Sequence, residues 1–139
     1  MFTLPPQKKI ISILTQSTTI AVVGLSPKKD RPSYKVASYM LKAGYEIIPI
    51  NPGQDKILGR QCYPDLLSVP SPVEVINLFR RSEHVFPFVR DSITIGAKTI
   101  WMQQGIFHEE AAAFAEQAGL TVIMDRCIKI DHNSFILNK

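Results

Sequence analysis

The chain is poor in the residues that redox, metal and secretory chemistry rely on. Of its 139 residues, two are cysteine, three histidine and one tryptophan. Cys62 and Cys127 share no CxxC or metal-type spacing, so neither a disulfide framework nor a metal site is implied. Two free thiols fit a reducing compartment. No apolar run approaches the roughly 20 residues of a membrane helix. The opening MFTLPPQKKIISILTQ has no apolar core followed by a small-residue cleavage site. These absences predict a cytoplasmic protein that does not enter a membrane. Long runs of one charge are missing too. The net charge is +4, and cations stand close together only at Lys8–Lys9, Lys28–Lys29–Arg31 and Arg80–Arg81. That excludes a basic tail for nucleic acid and leaves a mild preference for a small anionic partner.

What is present is an ordinary globular composition, 45% hydrophobic and 20% charged, in a length that suits one domain. We expect a leading helix within residues 1–17 and a core over residues 18–133. Pro5 and Pro6 mark the helix start, and Ile10, Ile11, Ile13 and Leu14 give it an apolar stripe.

The stretch Ile20–Gly44 organises the rest. Ile20–Val23 is a short β-branched and apolar run, the pattern of a strand buried on both faces. Gly24 then gives a turn where backbone can approach a ligand closely. A polar, basic loop follows with Ser26, Lys28, Lys29 and Arg31. Ser33 is placed to cap a helix whose apolar positions are Val36, Ala37, Met40 and Leu41, and Gly44 ends it with a left-handed residue. A strand, a glycine turn, a cationic loop and a helix N-terminus together bind anions, phosphate first among them.

From Ala43 one phrase recurs: AGYEIIPIN, IGAKTIWMQ and AGLTVIMDR each run from a helix-ending glycine into an apolar strand and a polar residue. Val73–Phe79 supplies a further strand. Helices are expected over Ser33–Ala43, His84–Ile95 and His108–Ala118, with Pro87 tolerable only in a first turn. Between Asn51 and Val69 the pattern is irregular, with an edge segment at Ile57–Cys62 and a helical turn at Asp65–Val69. This alternation predicts an α/β domain of Rossmann-like type, three layers around a mainly parallel five-stranded sheet.

Ligands of such sheets sit outside the carboxyl ends of the strands. Those ends carry Gly24–Ser26, Asn51–Pro52, Phe79–Arg80–Arg81, Met102–Gln103–Gln104–Gly105 and Asp125–Arg126. The rim is polar and cationic, without convergent carboxylates or histidines. The dinucleotide fingerprint is missing: no second and third glycine follow Gly24, and Asn51 stands where an NAD-binder has an acidic residue. A neutral Asn beside Lys28, Lys29 and Arg31 suits a ligand richer in phosphate than NAD.

Taken together, GLSPKKDRPSYKVA, PINP, NLFRRSE, WMQQGIFHEEA and MDRCIKI resemble the small stand-alone CoA-binding proteins. These are similar to the N-terminal CoA-binding domain of succinyl-CoA synthetase α-subunits. The resemblance spans Thr18 to Asn133 and implies coenzyme A or an acyl-CoA as ligand. It assigns Gly24, Ser26, Lys28, Lys29, Arg31, Ser33 and Tyr34 to the ADP phosphates. Asn51 and Pro52 would border adenine or ribose. Phe79 and Arg80 would flank the phosphate or pantetheine path, and Met102, Gln103 and Gly105 the pantetheine arm. The first loop is longer and more basic here than in the synthetases, and their phosphorylated-histidine domain does not fit in 139 residues.

No catalytic group stands out. His84 and His108 fall near helix starts and His132 in a polar tail, all three read as surface histidines without an orienting carboxylate. Trp101 reads as core or pocket wall, Asp125–Arg126 as a local ion pair, and Cys127 as a thiol near the rim. The expectation is a CoA-binder that catalyses nothing alone. The alternatives are a small NAD(P)- or acyl-CoA-dependent enzyme, which needs a proton-transfer group in the pocket, and a nucleotide-sensing module with a protein partner.

Overall fold

The computed structural model describes residues 2–138. Helix α1 (Gln7–Gln16) leads into strand β1 (Thr19–Val23), α2 (Pro32–Lys42) and β2 (Glu46–Ile50). A hairpin of β3 (Lys56–Ile57) and β4 (Arg60–Gln61) follows, then a 3-10 turn at Leu66–Ser68 and β5 (Val75–Leu78). The remainder alternates: α3 (Phe86–Thr94), β6 (Thr99–Met102), α4 (Glu109–Gln117), β7 (Thr121–Ile123) and α5 (Ile128–His132), which widens into a π-helical turn at Asn133–Leu137.

Among the described residues, β2, β1, β5, β6 and β7 form one five-stranded sheet in that order, every pairing parallel. This is the expected Rossmann-like α/β architecture. Register explains why each strand reads as a continuous apolar run. Alternate residues point to opposite faces, and both faces are buried. Ala21, Val23, Ile76, Leu78, Ile100 and Met102 pack toward α3 and α4 with Val89, Ala111, Ala112 and Ala115. Ile20, Val22, Val75, Trp101 and Ile123 pack toward α1, α2 and α5 with Ile10, Leu14, Val36, Met40 and Ile128.

Three expectations change. Ser33 is not the cap of α2, which begins at Pro32 with Arg31 as an extended N-cap residue. Proline at the first helical position supplies the right φ and needs no partner for its nitrogen. That frees the Ser33 hydroxyl to accept the Ser26 N–H at 3.0 Å. The third helix starts at Phe86 rather than His84, because Pro87 is held in the first turn and Ser82–His84 forms a separate 3-10 turn. The C-terminal segment is helical rather than a polar tail.

Candidate functional site

The strand order reverses direction between β1 and β5, so the loops that follow these strands diverge and open a crevice at their carboxyl ends. Gly24 is the hinge of that crevice. Its φ is +83°, and a Cβ there would lie 2.6 Å from the Phe79 carbonyl oxygen and 3.1 Å from Cδ of Arg80. Only glycine lets the two loops close to this distance.

The loop after Gly24 is held by its own short side chains. The Ser26 N–H donates to Ser33 Oγ at 3.0 Å, and the Lys28 N–H donates to Ser26 Oγ at 3.1 Å. Asn51 braces it from the neighbouring strand, donating through Nδ2 to the Leu25 carbonyl at 3.0 Å and accepting the Gly53 N–H at 2.8 Å. Helix α2 has no side-chain cap, so its first-turn N–H groups remain available to an anion.

Two cavities flank Arg80. One of about 350 Å³ is lined by Gly24, Leu25, Ser26, Asn51, Pro52 and Phe88 among others. One of about 600 Å³ lies between Pro32 at the start of α2, Phe79, Arg81 and the segment Gln103–Ile106. Arg80 borders both, its guanidinium 5.5 Å from the centre of the Phe88 ring. Neither lining contains a histidine, cysteine or carboxylate. The arrangement offers cations, amide groups and apolar walls: chemistry for holding an anionic ligand.

Of the residues singled out from the sequence, Gly24, Ser26, Asn51, Pro52 and Arg80 come together around the smaller cavity, and Phe79, Arg80, Gln103 and Gly105 around the larger. Lys28, Lys29 and Arg31 are exposed on the loop and line neither. Ser33 is buried against Ser26, and Tyr34, in the first turn of α2, is half-buried against the core. Met102 is fully buried facing α3 and α4, because its place in β6 sends it to the opposite face from Trp101 and Gln103. Sequence reasoning missed Phe88, which reaches the smaller cavity from α3, and Pro64, which lines it from a connection with no legible motif. Gln103 is 7% exposed, and its Oε1 has no partner.

Two of the three histidine readings change as well, His84 being exposed as expected. His132 is buried, its Nδ1 3.0 Å from the Tyr39 hydroxyl and its ring edge-to-face with Tyr39 and Tyr45. Burial pushes its pKa below the ordinary histidine value. His108 caps α4, its Nδ1 accepting the Ala111 N–H at 3.0 Å. Asp125 and Arg126 do not pair with each other. Arg126 makes a two-pronged bond to Asp131 at 2.7 and 2.8 Å, and that bond raises its pKa. Trp101 is core, its indole N–H donating to the Arg126 carbonyl at 2.8 Å.

A sequence profile of the CoA binding domain matches residues 18–133. The chain belongs to the CoA-binding domain family. It is 43% identical over 128 residues to the uncharacterized protein YneT of Bacillus subtilis, a match covering 92% of this chain and 95% of that one. It superposes with a TM-score of 0.91 on a hypothetical protein from Pyrococcus horikoshii, 35% identical, over 98% of this chain and 99% of the other. It is also 28% identical over 100 residues to an ADP-forming acetate–CoA ligase of Archaeoglobus fulgidus, covering 70% of this chain but only 15% of the ligase. The described helices include none long and apolar enough to cross a membrane.

Proposed function

We propose that this protein binds coenzyme A or an acyl-CoA across the switch-point crevice and catalyses no reaction alone. The observation that carries this reading is the pair of cavities meeting at Arg80 in a chain of the CoA-binding family. The nucleotide half lies along the Gly24–Ser26 turn, the α2 N-terminus and Asn51–Pro52. The pantetheine arm runs past Phe79 and Arg80 toward Gln103 and Gly105. Lys28, Lys29 and Arg31 act as an attracting rim for the phosphates. A proton-transfer group is wanting from both cavity walls, which favours binding over an NAD(P)- or acyl-CoA-dependent enzyme.

Calorimetric titration of ligand-free protein with CoA, acetyl-CoA, NAD and NADP, at two salt concentrations, tests this. Micromolar CoA affinity that weakens with salt, against negligible NAD binding, is the expected result. Tight NAD(P) binding with no response to CoA overturns it in favour of the oxidoreductase.

A further inference from the structure

Among the described residues, two that are not glycine hold left-handed backbone: Leu58 at φ 55° and Asp125 at φ 58°. Leu58 has a local explanation. With Gly59 at φ 72° it forms the two-residue turn of the β3–β4 hairpin, where positive φ matches the strand twist. Asp125 lies in no hairpin. It follows β7 at the carboxyl rim of the sheet, and a residue kept in this conformation signals a surrounding structure that requires it.

What requires it is a two-point contact with the neighbouring loop. Oδ1 of Asp125 accepts the Gly105 N–H at 2.6 Å, and the Asp125 N–H donates to the Ile106 carbonyl at 3.1 Å. On the other side the Phe107 N–H donates to Ser82 Oγ at 3.1 Å. The segment Gln103–Ile106, one wall of the 600 Å³ cavity, is therefore suspended between Asp125 and Ser82. Gly105 is itself left-handed at φ +86°, a conformation glycine adopts without penalty. Asp125 borders the adjoining small cavity, which shares Gln104 with the larger one, but does not line the larger cavity itself.

We infer that Asp125 is a positioning residue for the ligand, its carboxylate holding Gly105 so that the cavity wall is preformed. This rests on the CoA reading. A wall fixed beforehand spares the ligand the cost of ordering it, and a charge-assisted bond to a carboxylate is the stronger kind of restraint. The left-handed backbone is what turns the carboxylate toward Gly105 while the adjacent N–H reaches Ile106.

Three variants test the assignment by CoA titration, thermal unfolding and amide hydrogen exchange at Gly105. Asp125→Asn keeps both the tolerance for positive φ and the acceptor, so its CoA affinity stays within about twofold of wild type. Asp125→Gly loses the acceptor but relieves the strain. Its affinity falls about tenfold, and its Gly105 amide exchanges faster, while its Tm falls less than that of Asp125→Ala. Asp125→Ala loses the acceptor and keeps the strain, lowering both affinity and Tm. Undiminished affinity in Asp125→Gly, or unchanged Gly105 exchange, overturns the positioning role while leaving the CoA reading intact. No CoA binding by the wild type overturns the reading itself, and this role with it.

Discussion

Replacing Gly24 by alanine tests the crevice where its geometry is tightest. Alanine at φ +83° carries the left-handed penalty of about 1–2 kcal/mol. It also carries a collision, since a Cβ 2.6 Å from the Phe79 carbonyl oxygen must retreat by several tenths of an ångström. The oxygen it meets is backbone, next to the Phe79 N–H that bonds the Val23 carbonyl at 2.9 Å, so the relief comes from parting β1 and β5 at their ends. Overpacking of this kind costs about 1–3 kcal/mol more. Gly96 separates the two contributions: its φ is +80°, and nothing lies within 4 Å of its would-be Cβ. We expect Gly96→Ala to lose only the conformational part and keep its CoA affinity. Gly24→Ala should be less stable than Gly96→Ala by about 1–3 kcal/mol, some 3–10 °C in Tm for a chain of this size, with CoA binding lost or much weakened. Urea denaturation and calorimetric titration of both variants give the comparison. Equal stability losses, or wild-type CoA affinity in Gly24→Ala, would refute the close approach as the organising feature.

The cations divide into two roles. Arg80→Ala should weaken CoA binding about tenfold through faster dissociation, because Arg80 borders both cavities. The double variant Lys28→Ala with Lys29→Ala should instead slow association and flatten its salt dependence, since these side chains stand outside the cavities; stopped-flow at two salt concentrations distinguishes them. His132 makes the fold acid-sensitive. Its folded pKa lies below the unfolded value near 6.5, so its contribution is full above that pH and is lost as pH falls, at up to about 1.4 kcal/mol per pH unit. A Tm that does not drop between pH 7 and pH 5.5 would contradict this. Glu74 adds a second acid limb at lower pH. Its carboxylate accepts the Thr18 N–H at 2.7 Å and hydroxyl at 2.8 Å, and those bonds lower its pKa. Its contribution is present above the ordinary carboxylate range and lost as pH falls through the depressed pKa. Glu74→Gln should cost about 1 kcal/mol at pH 7, after solvent screening, and should flatten the unfolding profile below pH 5.

The sheet was legible because each of its strands is covered on both faces, which leaves a run of mostly apolar residues closed by a glycine or a polar residue. Ile20–Val23 ending at Gly24 and Thr99–Met102 ending at Gln103 are both of this kind. Such a run announces where the strand ends but not which residue faces the ligand. WMQQG alone does not say that Met102 turns toward α3 while Gln103 turns the other way, because the face depends on register with β5. The strand order carried the same difficulty. The crevice exists because β5, not β2, lies on the far side of β1, and no local pattern encodes that choice.

The remaining misreadings share a cause: each residue's partner is distant, or is not the neighbour that adjacency suggests. His132 looked like a surface residue in DHNS because the tyrosine that bonds it, Tyr39, lies 93 positions earlier. Asp125 and Arg126 looked like a pair because opposite charges stood side by side. Their partners are instead Gly105, 20 positions back, and Asp131, five positions on. Adjacent residues at a strand end project in different directions, so the two side chains are free to fasten different elements. Arg126 ties the rim to α5, and Asp125 ties it to the cavity wall. The carboxyl ends of β6 and β7 thus form one braced unit, while the β1–β5 side depends on the close approach at Gly24. A ligand spanning both cavities bridges the two halves of the rim, so loosening either half should weaken its binding while the sheet beneath stays folded.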